Sequence, residues 1–350
     1  MNSIYLPLHY GKAPYWLLNR MKKLAKPILT LIIQEYGERE VINRLSDPIF
    51  FQSFSNVLGF DWNSSGSTTV LTGVLKSVLN TDEFDLRIAG GKGGNALKTV
   101  EEIEKFASEL GIGERKKFEL IRASRLSAKL DSAALQDGYD LYHHTIVFTR
   151  KHFVVIQQGM NESLRMARRY HLKDASIIEP HSGIITQRFE NSVMDLTAEN
   201  SEEARKTILD IVNDGTYRFD FSKMLSMVKY RESLVPKRVD WKALEKAYSL
   251  QPDRFEDLLL VKGVGKGAIR ALALIAELVY DTEYSKKDPA KFSFALGGKD
   301  GVPFPVNRRD YDSVIEFMED AVRQAELSDF EKRSLLERLA KLSLSRSKTR

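Results

Sequence analysis

Thr145-Ile146-Val147-Phe148-Thr149-Arg150-Lys151-His152-Phe153-Val154-Val155-Ile156-Gln157 is the stretch that decides the fold. Two runs of β-branched and aromatic residues flank the polar segment Thr149 to His152, the pattern of a β-hairpin. An all-helical protein is thereby excluded. Further strands are predicted at Ile177 to Ile178 and from Gly183 to Phe189, and a helix from Glu162 to Tyr170. The middle of the chain therefore reads as a mixed α/β layer.

Helical spacing dominates on both sides of this centre. Trp16, Leu17, Met21, Leu24, Ile28, Leu31 and Ile32 recur as one stripe, with Pro27 marking a kink or junction. A second apolar stretch, Val70 to Leu79, follows Asn63-Ser64-Ser65-Gly66-Ser67, whose hydroxyls suit a helix cap. Gly90-Gly91-Lys92-Gly93-Gly94-Asn95 precedes Thr99 and Glu102, which have the spacing of a capping box. From Glu114 to Leu135 a long helix is predicted, with Arg115, Arg122 and Lys129 on one basic face and Arg125 beside them. Helical patterns return at Ser201. Pro236-Lys237 reads as a linker before helices at Trp241 to Leu250, Phe255 to Val261, Ala268 to Tyr280, Tyr311 to Ala325 and Phe330 to Leu342. The expected fold class is mixed α/β (α+β): a helical N-terminal region, a central mixed domain and a helical C-terminal module. Its expected division is residues 1–235 and 236–350.

The composition narrows the chemistry. In 350 residues, 43% hydrophobic and 10% aromatic content is enough for a sizeable core. There is no cysteine, which excludes disulfides, thiolate zinc sites and cysteine nucleophiles. A metal would have to be held by His, Asp or Glu. The net charge of +5 permits nucleic acid without arguing for it. No apolar run reaches membrane-spanning length and no signal-peptide order opens the chain, so a cytoplasmic location is expected.

The strongest local motif runs from Phe255 to Leu278: an apolar helix, Gly263-Val264-Gly265, then a second apolar helix. This arrangement resembles the helix-hairpin-helix motif of DNA repair and recombination proteins. Glycines let the turn approach a phosphate, which N–H groups at the start of the second helix can accept. Lys262, Gly263, Gly265, Lys266, Gly267 and Arg270 are the candidate DNA contacts there, joined by Lys92, Arg122, Arg168 and Arg169 elsewhere. Downstream, Pro303-Phe304-Pro305-Val306-Asn307-Arg308-Arg309 resembles the Pro-Val-Asp segment of base-excision glycosylases with this hairpin. Asn307 stands where that family has an aspartate, which leaves a glycosylase as a minor alternative. Gly297-Gly298-Lys299-Asp300-Gly301 reads as a polar turn able to hold a phosphate or as a plain surface loop.

Five of the six histidines fall between His143 and His181. If Tyr142-His143-His144, Arg169-Tyr170-His171 and Glu179-Pro180-His181 converge, histidines and carboxylates could hold a divalent ion that makes hydroxide from water. Without metal they could serve as general acid and base. The candidate catalytic residues are His143, His144, His171 and His181, and the candidate ligands for Mg, Mn or Zn are Asp137, Glu179 and His181. Against this stands the reading of hydrogen-bonded structural histidines. The Gly90 to Asn95 loop could form an anion nest around Lys92, or serve only as a flexible turn.

Leu6-Pro7-Leu8-His9-Tyr10-Gly11, Gly59-Phe60-Asp61-Trp62, Gly90-Gly91-Lys92-Gly93, Tyr142-His143-His144, Gln157-Gln158-Gly159-Met160-Asn161, Ala167-Arg168-Arg169-Tyr170-His171 and Glu179-Pro180-His181 together resemble a domain-of-unknown-function family, number 763, of archaea and thermophilic bacteria. The resemblance implies an archaeal or thermophile setting and assigns no reaction. Two functions are thus expected: a DNA-binding protein of repair or recombination acting as a metal-dependent nuclease, or a non-catalytic DNA-binding or scaffolding protein. The expected partners are DNA, other repair proteins and a second copy of the chain, with no membrane.

Overall fold

In the computed structural model the described residues are 13–60, 65–173, 176–186, 188–228, 235–290 and 292–293, with the single positions 323, 333 and 336. Leu6 to Gly11, Gly297 to Gly301 and Pro303 to Arg309 lie outside them, as do nearly all of the helices expected from Tyr311 to Ala325 and Phe330 to Leu342.

Four helices open the chain: α1 (Tyr15–Tyr36), α2 (Glu38–Ser46), α3 (Pro48–Val57) and α4 (Ser65–Leu79). α1 continues through Pro27 and buries Met21, Leu24, Ala25, Ile28, Leu29 and Ile32 along one stripe. Between α2 and α3, the Asp47 carboxylate accepts the Ile49 N–H at 2.7 Å while Pro48 takes the first helical position. Both features favour a new helix start over continuation of the old one.

The sheet is formed by β1 (Arg87–Lys92), β3 (Asp140–Phe148), β4 (Phe153–Asn161), β5 (Met166–Leu172) and β6 (His181–Thr186), antiparallel in that order. At its far edge β8 (Phe292–Ser293) pairs in parallel with β6. β2 (Leu135–Gln136) and β7 (Met194–Asp195) make a separate small ladder. The predicted hairpin is β3–β4, with Thr145 opposite Ile156 and Phe148 opposite Phe153.

Both faces of this sheet are covered, which explains its nearly continuous apolar strands. Val147, Val154 and Ile156 pack against α1 to α4, whereas Ile146, Phe148 and Val155 face the opposite layer. That layer contains α5 (Gly94–Leu97), α6 (Thr99–Glu109), α7 (Glu114–Lys129), α8 (Glu202–Asn213), α9 (Tyr217–Met227), α10 (Trp241–Leu250), α11 (Phe255–Leu260) and α12 (Lys266–Tyr280). Each fully buried Val, Leu, Ile or Phe contributes roughly 1.5–3 kcal/mol. One apolar cluster joins Leu272 and Ile275 to Ile146 and Phe148, so the core crosses the expected boundary at residues 235/236. The mixed α+β class is the one observed. No helix among the described residues is long and apolar enough to cross a membrane.

Several local expectations are corrected. The segment read as a helix from Glu162 to Tyr170 is a turn followed by β5, because pairing with β4 and two-sided burial outweigh its local helical spacing. Ile177 to Ile178 forms no strand. The long helix from Glu114 ends at Lys129 and passes into a π turn over Leu130–Ala134. Thr99 and Glu102 make no capping box: Thr99 donates to the Ala96 carbonyl, and Glu102 accepts from Gly90 N–H and Lys76.

Candidate functional site

The period of two in a strand sends neighbouring side chains to opposite faces, and this disposes of a single histidine centre. His143, Gln158 and Arg169 form one cross-strand row, and His144, Gln157 and Tyr170 form the next. Tyr170 belongs to the cluster under α6 to α12, while the first row meets α4. His143 and His171 are therefore separated by the sheet from His144 and His181.

On the face covered by α7, His144 lies in a closed network. Its Nδ1 donates to Gln157 Oε1 at 2.8 Å, which leaves Nε2 to accept the Ser124 hydroxyl at 2.8 Å. The Gln157 amide donates to the Ser127 carbonyl at 3.0 Å and to Asp131 at 2.5 Å. Asp131 in turn meets His181 Nε2 at 2.5 Å. Burial lowers the His144 pKa. Burial would also lower that of His181, but the Asp131 carboxylate beside it wins and raises it. This chain of donors and acceptors is largely inaccessible, with His144 at 7% exposure and His181 at 8%.

Beside it, Arg168 is fully enclosed and forms ion pairs with Asp137 at 3.0 Å and Asp288 at 2.8 Å. Tyr170 donates to the same Asp137 at 2.8 Å. Asp137 is nevertheless raised in pKa because burial outweighs the neighbouring arginine. The expected backbone contact by Arg168 is corrected: its charge is spent inside the fold. Glu179 instead borders a cleft of about 820 Å³ together with Glu190, Asp195, Glu199 and Asp288. Among the described residues no three His, Asp or Glu side chains are arranged to hold a metal ion. Asp137, Glu179 and His181 do not form the ligand set expected of them.

The other face is differently built. His143 Nε2 lies 3.2 Å from the Thr72 hydroxyl, and His143 Nδ1 is buried without a hydrogen-bond partner. Burial, with His144 and Lys92 nearby, lowers its pKa to about 3. Arg169 Nε donates to His171 Nε2 at 3.0 Å, and His171 Nδ1 donates to the Leu45 carbonyl at 2.9 Å. His171 is thus held neutral, with its pKa driven well down by burial and by Arg169. Arg169 also donates to Gln52 Oε1 at 3.3 Å and to Thr68 Oγ1 at 3.4 Å, and since Gln52, Thr68 and Thr72 come from helices far from the strands in sequence, this network was invisible there.

The C-terminal hairpin has a more open surface. α11 and α12 are joined through Val261 to Gly265, where Gly263 takes φ +97 and Val264 is buried. Lys262 and Gly263 are exposed, as is Lys266. Lys266 reaches Asp140 at 2.8 Å. Gly265 caps the start of α12, and a Cβ there would make only an ordinary contact, 3.9 Å from the Gly263 carbonyl oxygen. Gly267 serves the fold, since a Cβ there would meet the Arg238 carbonyl oxygen at 2.2 Å. The expected basic face of α7 is largely engaged: Arg115 pairs with Glu119, Arg122 with Asp257 at 2.8 Å, and Lys129 donates to the Val264 carbonyl. Lys92 is exposed and sits over the Tyr142 ring at 5.8 Å.

A family described as protein of unknown function (DUF763) matches residues 2–306. The chain belongs to this family. No curated protein and no solved structure matches it. Membership covers the sheet, both helical layers and the hairpin of this family member, so the geometry alone must carry any functional reading.

Proposed function

We propose that the protein binds the sugar-phosphate backbone of DNA, in a repair or recombination role, through a helix-hairpin-helix formed by α11 and α12. The observation that supports it most is the exposed turn at Lys262-Gly263, next to Gly265 at the open N-terminus of α12. Backbone N–H groups and the helix dipole at such an end favour an anion. Lys262 and Arg270 flank the turn with charge that no ion pair among the described residues consumes. Contacts of this kind hold the duplex and carry no base information.

Between the two readings of the histidines, their division across the sheet favours a non-catalytic DNA-binding or scaffolding protein over a nuclease. Four histidines that cannot meet cannot share one scissile phosphate.

Fluorescence anisotropy with a labelled duplex lacking terminal phosphates tests the hairpin. Gly265→Ala fits the fold but would hold a phosphate away, so affinity should fall about tenfold, the loss of one charge-assisted contact. Lys262→Glu with Arg270→Glu should weaken binding further and flatten its salt dependence. Unchanged affinity in both variants would overturn the proposal. Competition by RNA of matched sequence separates the two polymers.

A further inference from the structure

One stripe of α7 runs beside the hairpin and carries a cation that the fold does not use. A helix brings residues at i, i+4, i+7 and i+11 onto one face, and in α7 these are Phe118, Arg122, Arg125 and Lys129. Two of the four touch the hairpin. Arg122 donates to Asp257 in the first turn of α11 at 2.8 Å, and Lys129 donates to the Val264 carbonyl in the turn between α11 and α12. Arg125 lies between these two anchors, so the same face presents it next to α11. It is exposed, although Ser124 and Leu126 on either side of it are buried, and it has no hydrogen bond or ion pair among the described residues.

Neither Asp257 nor Glu119 sets an unbalanced negative charge beside this stripe. Asp257 accepts from Arg254 as well as from Arg122, and Glu119 pairs with both Arg115 and Lys116. At the far end of the stripe Phe118 is 68% exposed. A ring so open to water buries little apolar surface and adds little to the stability of the fold. By the rise of a helix, Arg125 stands about 6 Å and Phe118 about 16 Å along the axis from Lys129. A free cation followed by an open aromatic ring is the surface that holds a single strand, the one meeting a phosphate and the other an unstacked base. A duplex, whose base faces are covered by stacking, has nothing to offer that ring.

We propose that the stripe from Arg125 to Phe118 on α7 holds a single-stranded extension of the DNA whose duplex lies on the hairpin. This rests on the reading of α11 and α12 as a backbone clamp and names the substrate class of that same site. Arg125 meets a phosphate where the strand leaves the duplex, and the Phe118 ring stacks on a base farther along. A duplex with a single-stranded flank is then preferred over a blunt one.

Fluorescence anisotropy of the full chain at fixed salt supplies the test, with one labelled duplex in three forms: blunt, with a 5′ tail and with a 3′ tail of about ten nucleotides. Wild type should bind one tailed form about tenfold tighter than the blunt form, the scale of one base stacked on an aromatic ring. In Phe118→Ser and in Arg125→Gln that tailed form should bind no tighter than the blunt one, whereas Phe118→Trp should keep the preference. Both side chains are exposed, so the melting temperatures should match wild type and a change in binding reports on the surface. Lys262→Glu with Arg270→Glu separates the two readings. Equal affinity for all three forms, or a tail preference that survives in Phe118→Ser and Arg125→Gln, would overturn the strand site alone if the hairpin variant still binds weakly. A tail preference that depends on Phe118 and Arg125 while the hairpin variant binds like wild type would overturn the hairpin and, with it, the duplex-plus-flank substrate. No binding of any form by wild type would overturn both.

Discussion

Arg168 and Asp288, 120 residues apart in sequence, form a two-pronged ion pair: NH1 to Oδ1 at 3.0 Å and NH2 to Oδ2 at 2.8 Å. Such a fork fixes both distance and angle, and here it pins the segment after α12 to strand β5. Asp288 also accepts the Glu190 and Ala290 N–H groups, so one carboxylate ties three segments together.

Removing one partner of a buried pair strands the other charge, which costs about 3–5 kcal/mol. Asp288→Ala leaves Arg168 paired with Asp137 but removes the acceptor of the Glu190 and Ala290 N–H groups as well as the fork, so the unfolding free energy should fall by about 2–4 kcal/mol in urea titrations. Asp288→Ala combined with Arg168→Met also takes from buried Asp137 its cation and should be destabilised further than Asp288→Ala alone. A cost below 1 kcal/mol for the single variant would show that the pair is dispensable.

Gln157 is the hinge of the network that joins His144 to Asp131. Gln157→Leu preserves approximate size but leaves several buried groups without partners, each worth about 1–3 kcal/mol. A loss of about 2–4 kcal/mol is expected by chemical denaturation, with the far-ultraviolet circular dichroism retained. No measurable loss would mean that water reaches this part of the interior.

Gly265 and Gly267 are two residues apart and should respond oppositely. At Gly267 an added Cβ would sit 2.2 Å from the backbone oxygen of Arg238, so Gly267→Ala should destabilise by about 1–3 kcal/mol. At Gly265 a Cβ would make only an ordinary contact at 3.9 Å, and Gly265→Ala should leave the melting temperature nearly unchanged. Differential scanning calorimetry of both variants checks the contrast.

The pH dependence follows from the buried histidines. His143 and His171 have folded pKa values below the unfolded one, so the unfolded chain takes up their protons first as pH falls. Their contribution to stability is complete above the ordinary histidine range and is lost as the pH drops, for His143 down to about 3. His181 runs the other way: its pKa is raised, so its contribution is complete below the ordinary value and is lost as pH rises through the folded one. Urea midpoints measured in phosphate-free buffer should fall on acidification less steeply in His143→Gln than in wild type. Parallel curves would contradict the neutral, enclosed state of His143.

Much of the architecture was legible from local pattern, because local pattern is what sets it. The runs Thr145 to Phe148 and Phe153 to Gln157 alternate across a sheet buried on both faces, and β3–β4 is where they predicted it. The spacing of Trp241 to Leu250 and the glycine turn after Leu260 gave the helices α10 to α12 within two residues. Glu162 to Tyr170 carries helical spacing, yet its second half is a strand because Arg168, Arg169 and Tyr170 are buried through partners that only the folded chain supplies. Nearest-neighbour spacing contains no trace of Asp288.

The candidate site shows the same division more sharply. By itself the sequence determined that the histidines cluster, that no thiol chemistry is available and that lysines stand beside a glycine turn between two apolar helical stretches. Only the tertiary structure decided that His143 and His144 face opposite layers, since the sign of a strand's alternation is set by which helices cover each face. It also decided that Arg168 is neutralised and Arg169 is not. Adjacent residues in a strand share a sequence context but not an electrostatic one, because a sheet with both faces buried puts two separate interiors on either side of one backbone.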